Sequence, residues 1–364
     1  MKISLAKPVF TDKMKDAAIN ALQTEKFVLG ESVSKFESMF AQYCGKTHAV
    51  SVSSGTNALQ LGMIGLGLKP GKRVMTTPFT FIATSNAVIH AGCEPEFADI
   101  DEKSYNIDIN QVRKKVTDKT KCLIPVHLYG NPCNMKEIME YAQEKKLIVI
   151  EDACQAHGAV YNGKKCGSIG DVGCFSFYTT KNMTVCGDGG MVVTDDKKVA
   201  DMIKKLRDCG RDTHYTHSII GYTARLNTVN AAIGIEQLKI LDQCNEKRRN
   251  NAKKYTELLK EIDEVVLPPN PTQNIIPVYH LFVIRTKKRD ALMKYLSDNG
   301  IATGIHYPIP IHLQPIYREK YQYSTGIFPI AEAVSNEVLS LPMFPELKDD
   351  EIHYVCEKIV EFYN

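Results

Sequence analysis

The sequence carries no excess of either charge. Its 45 Lys and Arg against 42 Asp and Glu leave a formal +3 over 364 residues, which gives no footprint for binding nucleic acid or a membrane surface. It has no run of 18 apolar residues, so no membrane-spanning helix is expected. The N-terminus lacks the apolar stretch of a signal peptide: Lys2 and Lys7 flank a short mixed segment, and Asp12, Lys13, Lys15 and Asp16 follow. A cytoplasmic location is the expectation. The 11 cysteines include no C-x-x-C pair, and their odd number and spacing suit neither a zinc site nor a disulfide framework. Reduced thiols acting as small buried hydrophobes are expected instead, and no metal. With 44% hydrophobic and 24% charged residues, neither a disordered nor a collagen-like chain fits.

Nucleotide-binding loops are missing as well. Gly65-Leu66-Gly67-Leu68-Lys69-Pro70 begins like a dinucleotide fingerprint but ends in proline, and Gly71-Lys72-Arg73 lacks the upstream glycine and the Ser or Thr of a P-loop. His214 and His217 have the spacing of a metal pair, yet Arg211, Asp212, Thr213 and Tyr215 around them read as a polar loop.

What is present is alternation. Apolar runs that read as strands (Ala49–Val52, Val74–Thr76, Leu123–Val126, Leu147–Ile150, Cys174–Tyr178, Met191–Val193) are separated by helical patterns at Asn57–Leu66, Ala83–Ala91, Met135–Glu144 and Lys197–Asp208. That order predicts a mostly parallel sheet with helices on its faces. Ala231 to Ile262 then reads as one long helix, stopped by Leu267-Pro268-Pro269-Asn270-Pro271. Beyond it come a strand (Val278–Arg285), a helix (Arg289–Asp298), a proline-punctuated loop (His306–Pro315) and two more helices. The division expected is an α/β domain over residues 1–240 and a smaller α+β domain over 241–364, joined by the long helix.

Four features fit one kind of chemistry. After an apolar strand, Ser53-Ser54-Gly55-Thr56 opens a helix whose free N–H groups and positive dipole end suit a phosphate; read alone, a plain N-cap is the better reading. The run Leu147–Ile150 ends at Glu151-Asp152, and in open α/β sheets ligands sit at the carboxyl ends of strands. A carboxylate there could keep a pyridinium nitrogen protonated, as a pyridoxal electron sink requires; the alternative is a capping Asp. An alternating strand, Gly173–Tyr178, leads to Lys181, and a lysine in a partly dry site is a candidate imine-forming nucleophile. Gly187-Asp188-Gly189-Gly190 beside it leaves room for a ligand, or is simply a β-turn.

In these motifs the chain resembles the sugar aminotransferases of the DegT/DnrJ/EryC1/StrS family. The resemblance runs through Phe27-Val28-Leu29-Gly30, Ser54-Gly55-Thr56, Pro78-Phe79-Thr80-Phe81-Ile82-Ala83-Thr84, Pro125–Gly130, Glu151–Gly158, Phe175-Ser176-Phe177, Lys181, Gly187–Gly190, Arg225-Leu226-Asn227, His280-Leu281-Phe282-Val283, Gly304–Pro308 and Ser340–Pro345. It implies the pyridoxal-phosphate-dependent transferase fold of type I, with a mostly parallel seven-stranded sheet in the large domain. It implies pyridoxal 5′-phosphate as cofactor and Lys181 as the Schiff-base lysine that also moves the proton. Asp152 would pair with the pyridine nitrogen, Gln155 would lie near the ring hydroxyl, and Phe81 would stack on the ring. Gly55, Thr56 and Ser176 would hold the phosphate. Asn227 would reach the phosphate of a neighbouring subunit, making a homodimer with shared active sites. His306, Tyr307 and His312 could touch substrate or be ordinary loop surface.

The implied activity is transfer of an amino group from an amino acid, with L-glutamate the expected donor, to a keto-deoxysugar carried on a nucleoside diphosphate, a 4-keto sugar ahead of a 3-keto one. A dehydratase of the same family would carry histidine at the position of Lys181. A non-catalytic small-molecule-binding regulator would need neither Lys181 nor Asp152. Asp188 stands where glutamate is commoner in the family, and Met183-Thr184-Val185-Cys186 replaces a run of smaller residues.

Overall fold

A computed structural model describes all of residues 1–364. In chain order the strands are β1 (His48–Val52), β2 (Arg73–Thr76), β3 (Glu94–Phe97), β4 (Thr120–Leu123), β5 (Ile148–Asp152), β6 (Val160–Tyr161), β7 (Lys164–Lys165), β8 (Val172–Ser176), β9 (Gly190–Thr194), β10 (Ile275–Ile276), β11 (Phe282–Arg285) and β12 (Val338–Leu341). The helices are α1 (Asp12–Thr24), α2 (Glu31–Cys44), α3 (Gly55–Gly65), α4 (Ala83–His90), α5 (Ile109–Lys115), α6 (Met135–Lys145), α7 (Lys197–Arg207), α8 (Thr228–Leu259), α9 (Arg289–Asp298), α10 (Pro315–Tyr321), α11 (Pro329–Glu337) and α12 (Asp349–Tyr363).

The main sheet has seven strands in the order β1-β9-β8-β5-β4-β2-β3. β9 pairs antiparallel with both β1 and β8, while the pairs from β8 across to β3 are parallel. All strands but β9 therefore run the same way, and the ends of β1, β2, β5 and β8 face one edge. The alternation of strands and helices predicts a mostly parallel sheet, and the seven strands are those the family resemblance implies.

Alternate residues feed opposite faces, as a pleated strand requires. Val50, Val52, Cys174 and Val192 join Leu59, Leu61 and Ile203 in one core under α3 and α7. Ala49, Phe175, Met191 and Val193 join Phe36, Phe40, Ile235 and Leu241 in another under α2 and α8. Each Val, Leu, Ile, Phe or Met among them contributes on the order of 1.5–3 kcal/mol on burial. One ion pair also ties this frame together: Arg207 of α7 reaches Glu37 of α2, and Glu37 accepts from the backbone N–H of Ser51 at 2.9 Å.

The expected cut at residue 240 falls inside α8. The first half of that helix packs on α1 and α2, and its second half packs on α12. A separate core beyond the main sheet draws on Tyr255, Leu259, Phe282, Leu292, Leu339, Ile352 and Ile359, and on Ile3 from the N-terminus. Ile3 bridges to Ile301. In the other direction, Tyr317, Phe328 and Val334 pack with Phe79, Phe97 and Tyr105 of the large domain.

Candidate active site

The edge where β1, β2, β5 and β8 end opens on a cavity of about 590 Å³, within the size range of small-molecule sites. Gly55, Thr56, Phe81, Asp152, Gln155, Ser176, Lys181, His306 and Tyr307 all line it. These are nine of the residues singled out in the sequence, brought together from positions 55 to 307 of the chain.

At the end of β1, Ser54 caps α3, its Oγ accepting from the N–H of Asn57 at 3.1 Å. Gly55 follows because nothing larger fits. A Cβ there would lie 2.7 Å from the Cβ of Ser176 and 2.9 Å from Sγ of Cys154. The N-terminus of α3 thus sits directly on the ends of β5 and β8. Thr56, next to Gly55 in the chain, and Ser176, against it in space, both line the cavity.

Asp152 closes β5 and is 4% exposed. Its Oδ2 accepts from Thr84 Oγ1 at 2.8 Å and its Oδ1 from the N–H of Cys154 at 3.2 Å. Its neighbour Glu151 points away from the cavity. Glu151 is buried and accepts from the N–H groups of Gly167, Ile169 and Gly170 at 2.8, 2.6 and 2.6 Å, with His127 Nε2 at 2.9 Å. Burial pushes the Glu151 carboxyl up, but the bonds from His127, Gly170 and Gly167 outweigh it and hold it below the ordinary range. The sequence pair Glu-Asp is therefore divided: one acid braces the loop after β7, the other faces the cavity.

Gln155 is oriented by Tyr129. The Tyr129 N–H donates to Gln155 Oε1 at 2.7 Å, which leaves Gln155 Nε2 to donate to the Tyr307 hydroxyl at 3.1 Å. Tyr129 holds φ at 58° to do this, a conformation rare outside glycine. Its own hydroxyl donates to the carbonyl of His306. Phe81 is 55% exposed, with its ring 6.0 Å from that of Tyr307. His306 Nδ1 lies 2.8 Å from Ser340 Oγ. Burial, then the charge of Lys181, pushes the His306 ring down to about 4.

Lys181 follows β8 and opens into the cavity. Burial lowers the pKa of its amine, partly opposed by Cys154 and Asp152. No hydrogen bond from the protein acts on that amine. It is a lysine biased toward its uncharged, nucleophilic form.

Two singled-out residues lie elsewhere. His312 is buried away from the cavity, its Nε2 3.0 Å from Glu332 Oε1 and its ring 4.7 Å from that of Phe328. A substrate role for it does not fit this placement: the proline-rich loop turns inward there and closes a core. Asn227 is also outside the cavity. It is exposed and caps α8 with its backbone while its side chain makes no capping bond. Beside it runs Phe27-Val28-Leu29, with Phe27 65% exposed and its carbonyl bonded to the N–H of Thr228.

Among the cavity residues to which sequence reasoning gave no role are Thr84, Tyr178 and His280. Thr84 and His280 stood inside quoted motifs, but no spacing rule relates Thr84 to Asp152 or His280 to Lys181.

The profile of the DegT/DnrJ/EryC1/StrS aminotransferase family matches residues 9–360. A protein of Geobacillus stearothermophilus named "Pleiotropic regulatory protein" is 43% identical, the match covering 94% of this chain and 92% of that one. A UDP-N-acetyl-3-dehydro-alpha-D-glucosamine 3-aminotransferase of Acidithiobacillus ferrooxidans is 41% identical over 93% of this chain and 90% of its own. Among solved structures, S. venezuelae DesV in complex with a ketimine intermediate superposes with a TM-score of 0.94 at 38% identity, covering 97% of this chain and 95% of that one.

Proposed function

The chain belongs to the DegT/DnrJ/EryC1/StrS aminotransferase family, and on that premise we propose that it is a pyridoxal-phosphate-dependent aminotransferase acting on a nucleotide-linked keto-sugar. The observation that carries this is the meeting, in one cavity, of a buried lysine biased toward its free amine and a carboxylate held by two hydrogen bonds.

The residues fit the cofactor. A phosphate suits the N–H groups at the start of α3 together with the hydroxyls of Thr56 and Ser176, at a corner where Gly55 admits no side chain. Asp152 suits a protonated pyridine nitrogen, Gln155 a ring hydroxyl, and Phe81 the ring face. Pyridoxal phosphate, when bound, supplies the electron sink. The chain supplies the rest. Lys181 would hold the cofactor through its free amine, the aldehyde oxygen leaving as water, and its Nζ would take up and return a proton as general base and acid. Thr84 and the Cys154 N–H hold the Asp152 carboxylate in one orientation while this proceeds. Tyr129 fixes which end of the Gln155 amide faces the ligand.

L-Glutamate is the proposed amino donor. For the acceptor, the A. ferrooxidans relative is named for a 3-dehydro sugar. That weighs for a 3-keto substrate against the 4-keto one that the sequence reading put first. Lys181 speaks against the dehydratase branch. A regulatory role, which the name of the G. stearothermophilus relative raises, leaves the lysine and carboxylate without purpose.

The assembly proposed is a twofold homodimer that shares its sites. Asn227 has a free side chain outside its own cavity, and the apolar residues Phe10, Leu22, Phe27 and Val28 are 60%, 53%, 65% and 41% exposed. Such residues in a soluble chain call for a covering surface, and a second copy would cover them and bring Asn227 to the partner's phosphate.

The test is direct. Purified protein reconstituted with pyridoxal phosphate should be yellow, bleach on adding L-glutamate, and regain colour with a nucleotide-linked keto-sugar while mass spectrometry records the aminated product. No bleaching with any amino acid would overturn the proposal.

A further inference from the structure

His280 enters the cavity from the small domain, 7% exposed, and the hydrogen bonds behind it determine its tautomer. Asn182, the residue after Lys181, points its amide between three partners. Its Nδ2 lies 2.9 Å from the carbonyl of Val278 and 3.0 Å from Asn245 Oδ1. Asn245 in turn places its Nδ2 2.7 Å from the carbonyl of His157. Carbonyls only accept, so the Val278 and His157 carbonyls orient both amides. Asn182 Oδ1 is then the atom that meets His280 Nδ1, at 3.3 Å. An amide oxygen has no proton to give, so Nδ1 of His280 carries one. The ring backbone is anchored too: its N–H donates to the Tyr129 carbonyl at 2.8 Å, and its carbonyl accepts from Arg248.

The other ring nitrogen has no partner in the protein. Unlike the two ring nitrogens of His157, which are sealed from solvent without partners, His280 Nε2 is not among the sealed atoms. It opens on the cavity that Lys181 also lines. Burial first, then the charges of Lys181 and Arg248, holds the ring well below the ordinary histidine range, so it stays neutral. The lining of the same cavity includes the donors Thr56, Ser176, Lys181 and the Gln155 amide alongside the carboxylates of Asp152 and Asp188.

We propose that His280 is a substrate-binding residue, locked as the Nδ1–H tautomer by the Asn182–Asn245 amides, whose Nε2 accepts a hydrogen from an O–H or N–H donor of the bound substrate. This rests on the aminotransferase reading above. Two sources offer that chemistry, a sugar hydroxyl and the ammonium of the amino donor. The two half-reactions of the enzyme separate them.

The first readout is independent of turnover: ¹⁵N NMR of the His280 ring in the cofactor-loaded protein at pH 7, assigned by comparison with His280→Gln. The expected spectrum shows Nδ1 protonated and Nε2 bare, and Asn182→Ala should abolish that preference. A ring protonated at Nε2, or at both nitrogens, would overturn the proposal. The second readout is kinetic. His280→Asn keeps a polar atom near the Nδ1 position and loses the cavity-facing one; His280→Gln keeps an acceptor near Nε2. In His280→Asn, KM should rise roughly tenfold, the loss of one hydrogen bond. The rise should appear in the amino-acid half-reaction if the ammonium is the donor, or in the sugar half-reaction if a hydroxyl is. His280→Gln should recover most of it, as a merely structural role would not predict. Unchanged KM in both half-reactions of folded His280→Asn would sink the idea. A wild-type protein that runs neither half-reaction would refute the proposed function instead, and the ring's tautomer would still be read by the spectrum.

Discussion

Thr84 Oγ1 donates to Asp152 Oδ2 at 2.8 Å, across 68 residues of sequence. The hydroxyl comes from the first turn of α4 and the carboxylate from the last residue of β5. The bond gives the acid at the cavity floor a fixed plane, and the Cys154 N–H at 3.2 Å completes it.

Thr84→Val removes that donor at nearly constant volume and leaves a buried carboxylate oxygen short of a partner. A hydrogen bond to a charged group is worth about 1.5–3 kcal/mol. Affinity for pyridoxal phosphate should fall by tenfold or more, measured by equilibrium dialysis, while Thr84→Ser should stay near the parent value. Equal affinities in all three would mean that Asp152 needs no help in keeping its orientation.

Gly55→Ala should strike the fold and the site together. Its methyl would press on Ser176 Cβ and Cys154 Sγ at 2.7 and 2.9 Å, and overpacking of this kind costs about 1–3 kcal/mol. Urea unfolding of the cofactor-free protein should show a midpoint shift of that size. An unchanged midpoint would mean that the corner between β1 and α3 yields easily.

How far the site was legible follows from where its residues stand in the chain. Lys181, Asp152 and Gly55 each end or follow an apolar strand, so position made them candidates and the family resemblance gave them roles. Thr84 and His280 earn their roles through partners 68 and 98 residues away, which no local pattern encodes. His312 misled because proline, histidine and tyrosine suggest an exposed loop, whereas Phe328 and Glu332 enclose it. In the fold, β3 went unseen. Its sequence, Glu94-Pro95-Glu96-Phe97, is acidic and carries a proline, which is tolerated because β3 is an edge strand pairing with β2 alone. The helices α1 and α2 were also passed over, and α1 buries only Met14 and Ala21, too sparse a stripe to stand out.

Acid should destabilise the chain from mildly acidic pH downward. Burial is the largest cause in each of three histidines that border Lys181, holding His157 at about 3, His306 at about 4 and His280 well below its ordinary value. Below about pH 6.5 the unfolded chain binds protons that the folded one refuses, so stability is full above that value and falls as pH drops toward the folded pKa values. Each fully buried group adds a slope of about 1.4 kcal/mol per pH unit, with a smaller share from the more open His306. The depressed Glu151 carboxyl adds loss in the same direction. Urea midpoints between pH 7 and 4.5 should fall steadily, and His157→Phe should flatten the slope. A flat profile in the parent protein would contradict these depressed values.

Mixing subunits tests the shared site. Lys181→Ala homodimers should be inactive, and Asn227→Ala homodimers weak at limiting cofactor. If Asn227 serves the partner's site, the mixed dimer gathers both lesions in one site and leaves the other whole, so subunit exchange should restore about half the parent activity per mixed dimer. Mixed dimers shown to form without any gain would place Asn227 outside the partner's site.

The central claim is that Lys181 is the amine that bonds the cofactor. Borohydride reduction of the protein loaded with pyridoxal phosphate, followed by digestion and peptide mass mapping, reads this without any substrate. The account predicts a phosphopyridoxyl group on Lys181, near one per chain, and none in Lys181→Ala. A label carried by another lysine, or retained in Lys181→Ala, would contradict it.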